Sequence, residues 1–239
     1  MNSSQIDPLQ PTVIGNRAIA PAWHTAVLLI VMLGLSFMGA RTSSLPGGTH
    51  GRILLYLLIM LFEWATVAFI WYGVSRRGIR MRDLIGGSWA RPLYILRDLA
   101  IAVGFVAVCG VGLVGALNYL LKAVPNPALR YMLPHGLADT IFYLALTLTA
   151  GFCEEVIFRG YFQRQFAALC RSTAGGVVLQ GIVFGAAHGY QGWKFMLSIV
   201  VFGVTFGLLV VWRRSLRPGM LAHFLQDAVG GILASHFMR

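Results

Sequence analysis

The chain has 239 residues, 57% of them hydrophobic and only 11% charged, with a net charge of +11. A soluble globular domain is about 45–50% apolar and about 25% charged, so a water-soluble enzyme or a soluble nucleic-acid binder is excluded. The apolar residues fall in blocks close to the ~20 residues that cross ~30 Å of hydrocarbon, which makes this a multi-pass membrane protein.

In chain order, residues 1–21 form a polar tail that carries Arg17. The run Ala22–Ala40 has the flanks of a signal peptide. Its apolar stretch is longer than a signal h-region and Ser36–Ala40 is a poor cleavage site, so a retained helix is expected. Ile53–Val74 is the second block, and the connector Ser75–Asp98 follows it with Arg76, Arg77, Arg80, Arg82, Arg91 and Arg97. That connector has room for a surface-lying amphipathic piece but not for a soluble domain. Leu99–Leu121, Asp139–Phe158, Gly175–His188, Trp193–Trp212 and Gly219–Phe237 complete the set, the fifth and seventh blocks being short or glycine-rich.

In lipid every backbone amide must bond internally, so the blocks are helices or strands of a closed barrel. Barrel strands alternate apolar and polar residues, and these blocks are apolar all round. The expected fold is all-α, a polytopic transmembrane helical bundle of about seven spans, with room for an eighth. Residues 22–239 are expected to be one membrane domain with a motif-bearing core at 139–237. With seven spans, 13 of the 19 basic residues lie on the side of the N-terminus. The positive-inside rule then puts the N-terminus in the cytoplasm. The basicity is thus a topology signal, and the partner it implies is membrane lipid, not nucleic acid. Cys109, Cys153 and Cys170 lie in or beside apolar blocks and read as small buried hydrophobes, not as a disulfide framework.

An ionisable group inside a membrane costs ~2.5–3.5 kcal/mol on insertion scales, so each is a functional-site hypothesis. In GFCEEVIFRG, Glu155 and Arg159 are four apart and share a helix face, so they can pair. Glu154 is rotated by about 100° and stays free. Two neighbouring carboxylates in different environments can divide into a structural and a chemical role. A second polar site is His188 in GIVFGAAHG, where Gly181 and Gly185 allow close helix approach. A third is HFLQD, where His223 and Asp227 are one turn apart. Singly, each has a bland reading: a hydrogen-bonded histidine, or an ion pair facing headgroups. Three of them in three blocks look like one site.

EEVIFR, FGAAH and HFLQD resemble, in order, the EExxxR, FxxxH and HxxxN/D motifs of the CPBP family. That family, also called Abi, comprises the type II CAAX prenyl proteases and bacteriocin-processing enzymes. The resemblance covers roughly Asp139 to Gly231; the first three helices share only hydrophobicity with it. It implies intramembrane hydrolysis of a peptide bond in a substrate with a membrane-proximal segment. By motif, Glu154 with His188 would hold and deprotonate the attacking water. His223 and Asp227 would stabilise the oxyanion or position the peptide, and Glu155, Arg159 and Phe184 would be structural. Many members carry Asn where this chain has Asp227. An anionic Asp is a poor oxyanion donor, so here it is expected to orient His223 or to hold a proton.

The chemistry stands without the resemblance. Water, with a pKa of about 15.7, needs a base or a metal to attack an amide. A carboxylate in low dielectric is a stronger base, and donors aimed at the oxyanion are worth ~2.7–4 kcal/mol each. Glu154, His188 and His223 could also form a His₂Glu zinc set, although HExxH is absent. For the site to assemble, the fourth helix must continue through Tyr161–Leu169 and the connector Arg213–Pro218 must dip inward. Glu154 must lie within about 10 Å of His188.

Gly110, Gly112 and Gly115 fit G-x-G-x-x-G, but with no preceding strand they read as helix packing. Asp139 reads as an N-cap. Glu63 lines the cavity or, as the favoured reading, is a protonated, hydrogen-bonded glutamate. The rival functional class is a non-catalytic scaffold, immunity or transport protein that uses the same cluster to bind a partner or relay protons. The absence of detectable inverted repeats weighs against transport.

Overall fold

A computed structural model describes residues 18–41 and 48–237. Residues 1–17 of the expected polar tail lie outside the described residues. The described chain is helical throughout, with no strand. The helices are α1 (Ala22–Arg41), α2 (Gly48–Ser75), the short α3 (Met81–Ile85), α4 (Pro92–Leu120), the short α5 (Pro127–Tyr131), α6 (Leu137–Cys170), α7 (Thr173–Ala187), α8 (Trp193–Arg213) and α9 (Arg217–Phe237). Each of the seven expected blocks is one of the longer helices.

Five of them, α1, α2, α4, α6 and α8, are long and apolar enough to cross a membrane. The other two differ for a physical reason. α7 is apolar but only 15 residues long, about 22 Å at ~1.5 Å per residue. α9 carries Arg217, His223, Gln226, Asp227 and His236, and its composition serves the bundle interior more than lipid.

α7 and α8 form the tightest pair. A Cβ on Gly203 would stand 2.9 Å from the Gly181 Cα, and one on Gly185 would stand 2.8 Å from the Met196 carbonyl oxygen. The stripe Gly181–Gly185 therefore does what small residues do between membrane helices, letting backbones meet. Polar stitches fasten α6 and α7 to α8: Gln163 donates to the Gly207 carbonyl at 3.2 Å and Gln180 to the Gly203 carbonyl at 2.7 Å. On the other flank α6 packs against α2 and α9, and α9 also packs against α4. Gly110 of the G-x-G-x-x-G run faces Gln226 of α9, as a packing glycine should.

The arginine-rich connector is built into the bundle. Leu84 of α3 is fully buried. Arg164 of α6 donates to the Asp83 and Leu84 carbonyls at 3.0 and 2.9 Å, and the Leu216 amide donates to the Ile85 carbonyl at 2.9 Å. The Arg217 guanidinium donates to the Ser88 carbonyl and lies 3.6 Å from Asp98. The Arg80 amide, donating to Asp83 Oδ2 at 3.0 Å, holds that exposed carboxyl below its usual range. A side chain at Gly160 would meet both Leu216 and Leu84. The turn between α8 and α9 therefore meets α6 at Gly160, well inside its end at Cys170.

At the opposite end Asn126 donates to the Tyr190 carbonyl at 2.7 Å, and Arg52 pairs with buried Asp139 at 2.7 Å. Asp139 is not the N-cap expected from the sequence. Gly136, at φ 95°, occupies that position, and Asp139 in the first turn accepts the His135 amide at 3.1 Å. Glycine suits a left-handed φ, so the helix begins earlier than a side-chain cap implies.

Candidate active site

α6 runs unbroken through the expected end of its block, and Glu154 falls near its middle. After Glu154 the helix widens to π geometry from Glu155 to Phe162. Such widened turns often mark functional sites, because they re-aim side chains within a continuous helix. Three motif segments then converge on this turn from α6, α7 and α9.

Glu155 and Arg159 form the buried foundation. Neither side chain has any exposed surface, and Arg159 Nη1 lies 2.9 Å from Glu155 Oε1. The guanidinium stacks over the Phe184 and Phe206 rings, 4.3 and 4.8 Å from their centroids, and Nη2 donates to the Gly203 carbonyl at 3.4 Å. Aromatic faces and a carboxylate together compensate a buried cation. Gly219 of α9 makes room, since a Cβ there would stand 2.9 Å from Glu155 Oε2.

Glu155 has a second contact that helical spacing did not disclose. Its Oε1 lies 3.1 Å from His223 Nδ1. A carboxylate only accepts, so Nδ1 carries the proton and Nε2 is turned to the opposite side. His188 is set the same way: its Nδ1 donates to the Phe184 carbonyl at 2.8 Å, one turn back on α7. Phe184, 2% exposed, stands edge-on to both imidazoles, with ring centroids 4.7 Å from His188 and 5.9 Å from His223.

Both Nε2 atoms point to Glu154. His188 Nε2 is 3.9 Å from Glu154 Oε1, and His223 Nε2 is 3.5 Å from Glu154 Oε2. Glu154 Oε2 is buried and makes no hydrogen bond. These separations exceed direct hydrogen bonds and suit one bridging water. Asp227 Oδ2 is 3.5 Å from the same His223 Nε2, with its side chain 37% exposed. Asp227 thus stands on the reactive side of His223, and Glu155, not Asp227, orients the ring. The expectation that Asp227 orients His223 is corrected on this point. Tyr143 holds the Asp227 backbone, its hydroxyl donating to the carbonyl at 3.0 Å.

The site opens into a cavity of about 410 Å³ lined by Glu63, Glu154, His188, His223 and Asp227, together with Tyr143, Tyr190 and Gln191. A second, more apolar cavity of about 540 Å³ lies between α1 and α2. The two share Ile59, Glu63, Met132, Glu154, His188 and Tyr190. Glu63 is 6% exposed, lines both cavities, and has an Oε2 without a hydrogen-bond partner. The signal available for it was an acidic residue in the middle of an apolar block.

A zinc ion would need the Glu154, His188 and His223 donors to close around one point. Among the described residues no group of three or more His, Cys, Asp and Glu side chains is arranged to hold a metal ion.

A family model described as type II CAAX prenyl endopeptidase Rce1-like matches residues 136–229. The uncharacterized protein YpbD of Bacillus subtilis (strain 168) is 26% identical over 174 residues, which is 72% of each chain. No solved structure matches the chain significantly. The matched segment holds Glu154, Glu155, Arg159, His188, His223 and Asp227, every residue of the converging motifs. Residues 136–229, the part of this membrane-spanning chain that builds the site, are thus similar to the Rce1-like type II CAAX prenyl endopeptidases, a family of proteases.

Proposed function

We propose that the protein is an intramembrane endopeptidase that hydrolyses a peptide bond with a water activated by Glu154 and His188. The observation that carries this reading is the pointing of two imidazole Nε2 atoms at one carboxylate, at 3.5 and 3.9 Å, whose Oε2 is buried without a hydrogen-bond partner. A water in that gap donates to Glu154 and to the lone pair of His188 Nε2. Glu154 takes its proton as the oxygen attacks the scissile carbonyl carbon. His223, protonated at both nitrogens and backed by Glu155, donates from Nε2 to the oxyanion. When the C–N bond breaks, the proton held by Glu154 passes to the leaving amine, and the carboxylate is restored. Asp227 positions the peptide and stabilises the charged form of His223.

The substrate is a peptide or protein with a membrane-proximal segment, held in a bacterial inner membrane. With the N-terminus cytoplasmic, the arginine-rich connector faces the cytoplasm. The cavity wall at Asn118, Pro125 and Gln191 then faces the other side. The test is cleavage of a quenched peptide library in detergent by wild type and Glu154→Gln, with and without chelator. Activity lost in the variant and retained on chelation is the expected result. Activity lost on chelation and restored by zinc would assign Glu154 and the histidines to metal binding. Undiminished cleavage by Glu154→Gln would overturn the mechanism. Peptide binding without cleavage by wild type would favour the non-catalytic scaffold.

A further inference from the structure

The cavity in front of the site is short of cations. Three carboxyl groups line it, Glu63, Glu154 and Asp227, and among the described residues no Lys or Arg does. Arg159 cannot serve them: it has no exposed surface and is committed to Glu155. The two imidazoles have their Nδ1 atoms engaged elsewhere, which leaves one nitrogen each for the whole acidic wall.

Glu63 is the group the hydrolytic mechanism does not use. It comes from α2, outside every motif, and interacts electrostatically with Glu154 and Asp227. Its Oε2 is buried, lines the cavity and has no partner. Asn118 and Gln226, whose amide oxygens are also buried and unpartnered, line the same cavity. A buried acceptor without a donor costs free energy, and a ligand that brings the donor recovers it. Charge-assisted hydrogen bonds from an ammonium or guanidinium are the strongest such partners, and low dielectric strengthens them. A cavity of about 410 Å³ accommodates a lysine or arginine side chain beside the backbone that carries it.

We infer that this cavity selects a substrate with a basic residue close to the scissile bond, its charged head seated between Glu63 and Asp227. The inference rests on the endopeptidase reading above and adds the substrate class. Glu63 and Asp227 act here as specificity-determining groups that line the same cavity as Glu154. The replacement of Asn by Asp in the third motif supplies a charge that an HxxxN site lacks, so basic selectivity distinguishes this chain from proteins with Asn there.

The experiment uses the full-length protein in detergent and apolar decapeptides that carry one lysine at successive positions, each matched by a norleucine peptide. Wild type is expected to prefer lysine at one position by about tenfold in kcat/KM, and Glu63→Gln to reduce that preference towards unity through KM. Asp227→Asn is the second variant, and it should weaken the preference even if Glu63→Gln does not fold. Equal cleavage of lysine and norleucine peptides, or a preference that survives in both variants, overturns the inference and leaves the protease reading intact. Fluorescence anisotropy of labelled peptides gives a readout free of turnover. Selective lysine binding that is lost in Glu63→Gln, without cleavage, supports the cation site and removes the protease reading. Equal binding overturns the cation site.

Discussion

The two sides of His223 differ in what surrounds them. On the Nδ1 side, Glu155, Arg159, Phe184 and Phe206 form a fully buried set in which charge meets charge and cation meets aromatic face. On the Nε2 side, Glu154, Asp227 and Glu63 line a cavity. Neighbouring residues of one helix, Glu154 and Glu155, fall on opposite sides of this divide. The packed side fixes the imidazole through its Nδ1, and the open side leaves room for water and peptide. The contrast is the signature of a preorganised site, where a rigid charge-paired face and an open cavity are separated by a single ring.

Substitutions on each side should break different properties. The largest effect is expected from Glu154→Gln, which should lower kcat by roughly 10²–10⁴-fold as the base is lost, while thermal unfolding in detergent stays near wild type. Arg159→Met should do the reverse of sparing the fold: it strands Glu155 in the interior and should cost about 3–5 kcal/mol, read from unfolding and from loss of folded yield. Adding Glu155→Gln to Arg159→Met should recover part of that stability without recovering activity, because His223 then loses its anionic partner. Gly203→Ala, which places a methyl 2.9 Å from the Gly181 Cα, should cost about 1–3 kcal/mol by forcing α7 and α8 apart. Arg80→Ala on the connector should change stability by less than about 1 kcal/mol, since its pair with Asp83 at 3.4 Å is solvent-exposed. Equal losses of stability in Glu154→Gln and Arg159→Met would erase the distinction between the two sides.

Much of this arrangement could be read from residue order. Lipid allows few backbone solutions, so the long apolar blocks became α1, α2, α4, α6 and α8; α1 and α8 keep the expected bounds to within a residue, whereas α4 starts at Pro92 and α6 runs on to Cys170. The pairing of Glu155 with Arg159 followed from i,i+4 spacing, and the approach of α7 to α8 from the glycine stripe. What residue order did not disclose depends on contacts between helices. The Glu155–His223 bond spans two helices and forms only because Gly219 lets α9 come close. Glu63 reaches the cavity because α2 packs on α6, and nothing in its own block states which face it occupies. The docking of α3 under the start of α9 rests on backbone carbonyls, which carry no residue-type signal.

The widened turn from Glu155 to Phe162 also has a consequence for insertions and deletions. A π turn carries more residues per revolution than an α turn, so the two ends of α6 are out of phase with each other by the surplus. Deleting one residue between Val156 and Phe158 would let the helix relax to regular α geometry, locally a gain in hydrogen bonding. It would also rotate Gln163 and Gln165 away from the Gly207 and Ala20 backbone groups they now serve. The segment is therefore a length-sensitive joint: a substitution within it acts where the side chain sits, whereas a single-codon deletion twists half the rod against its neighbours.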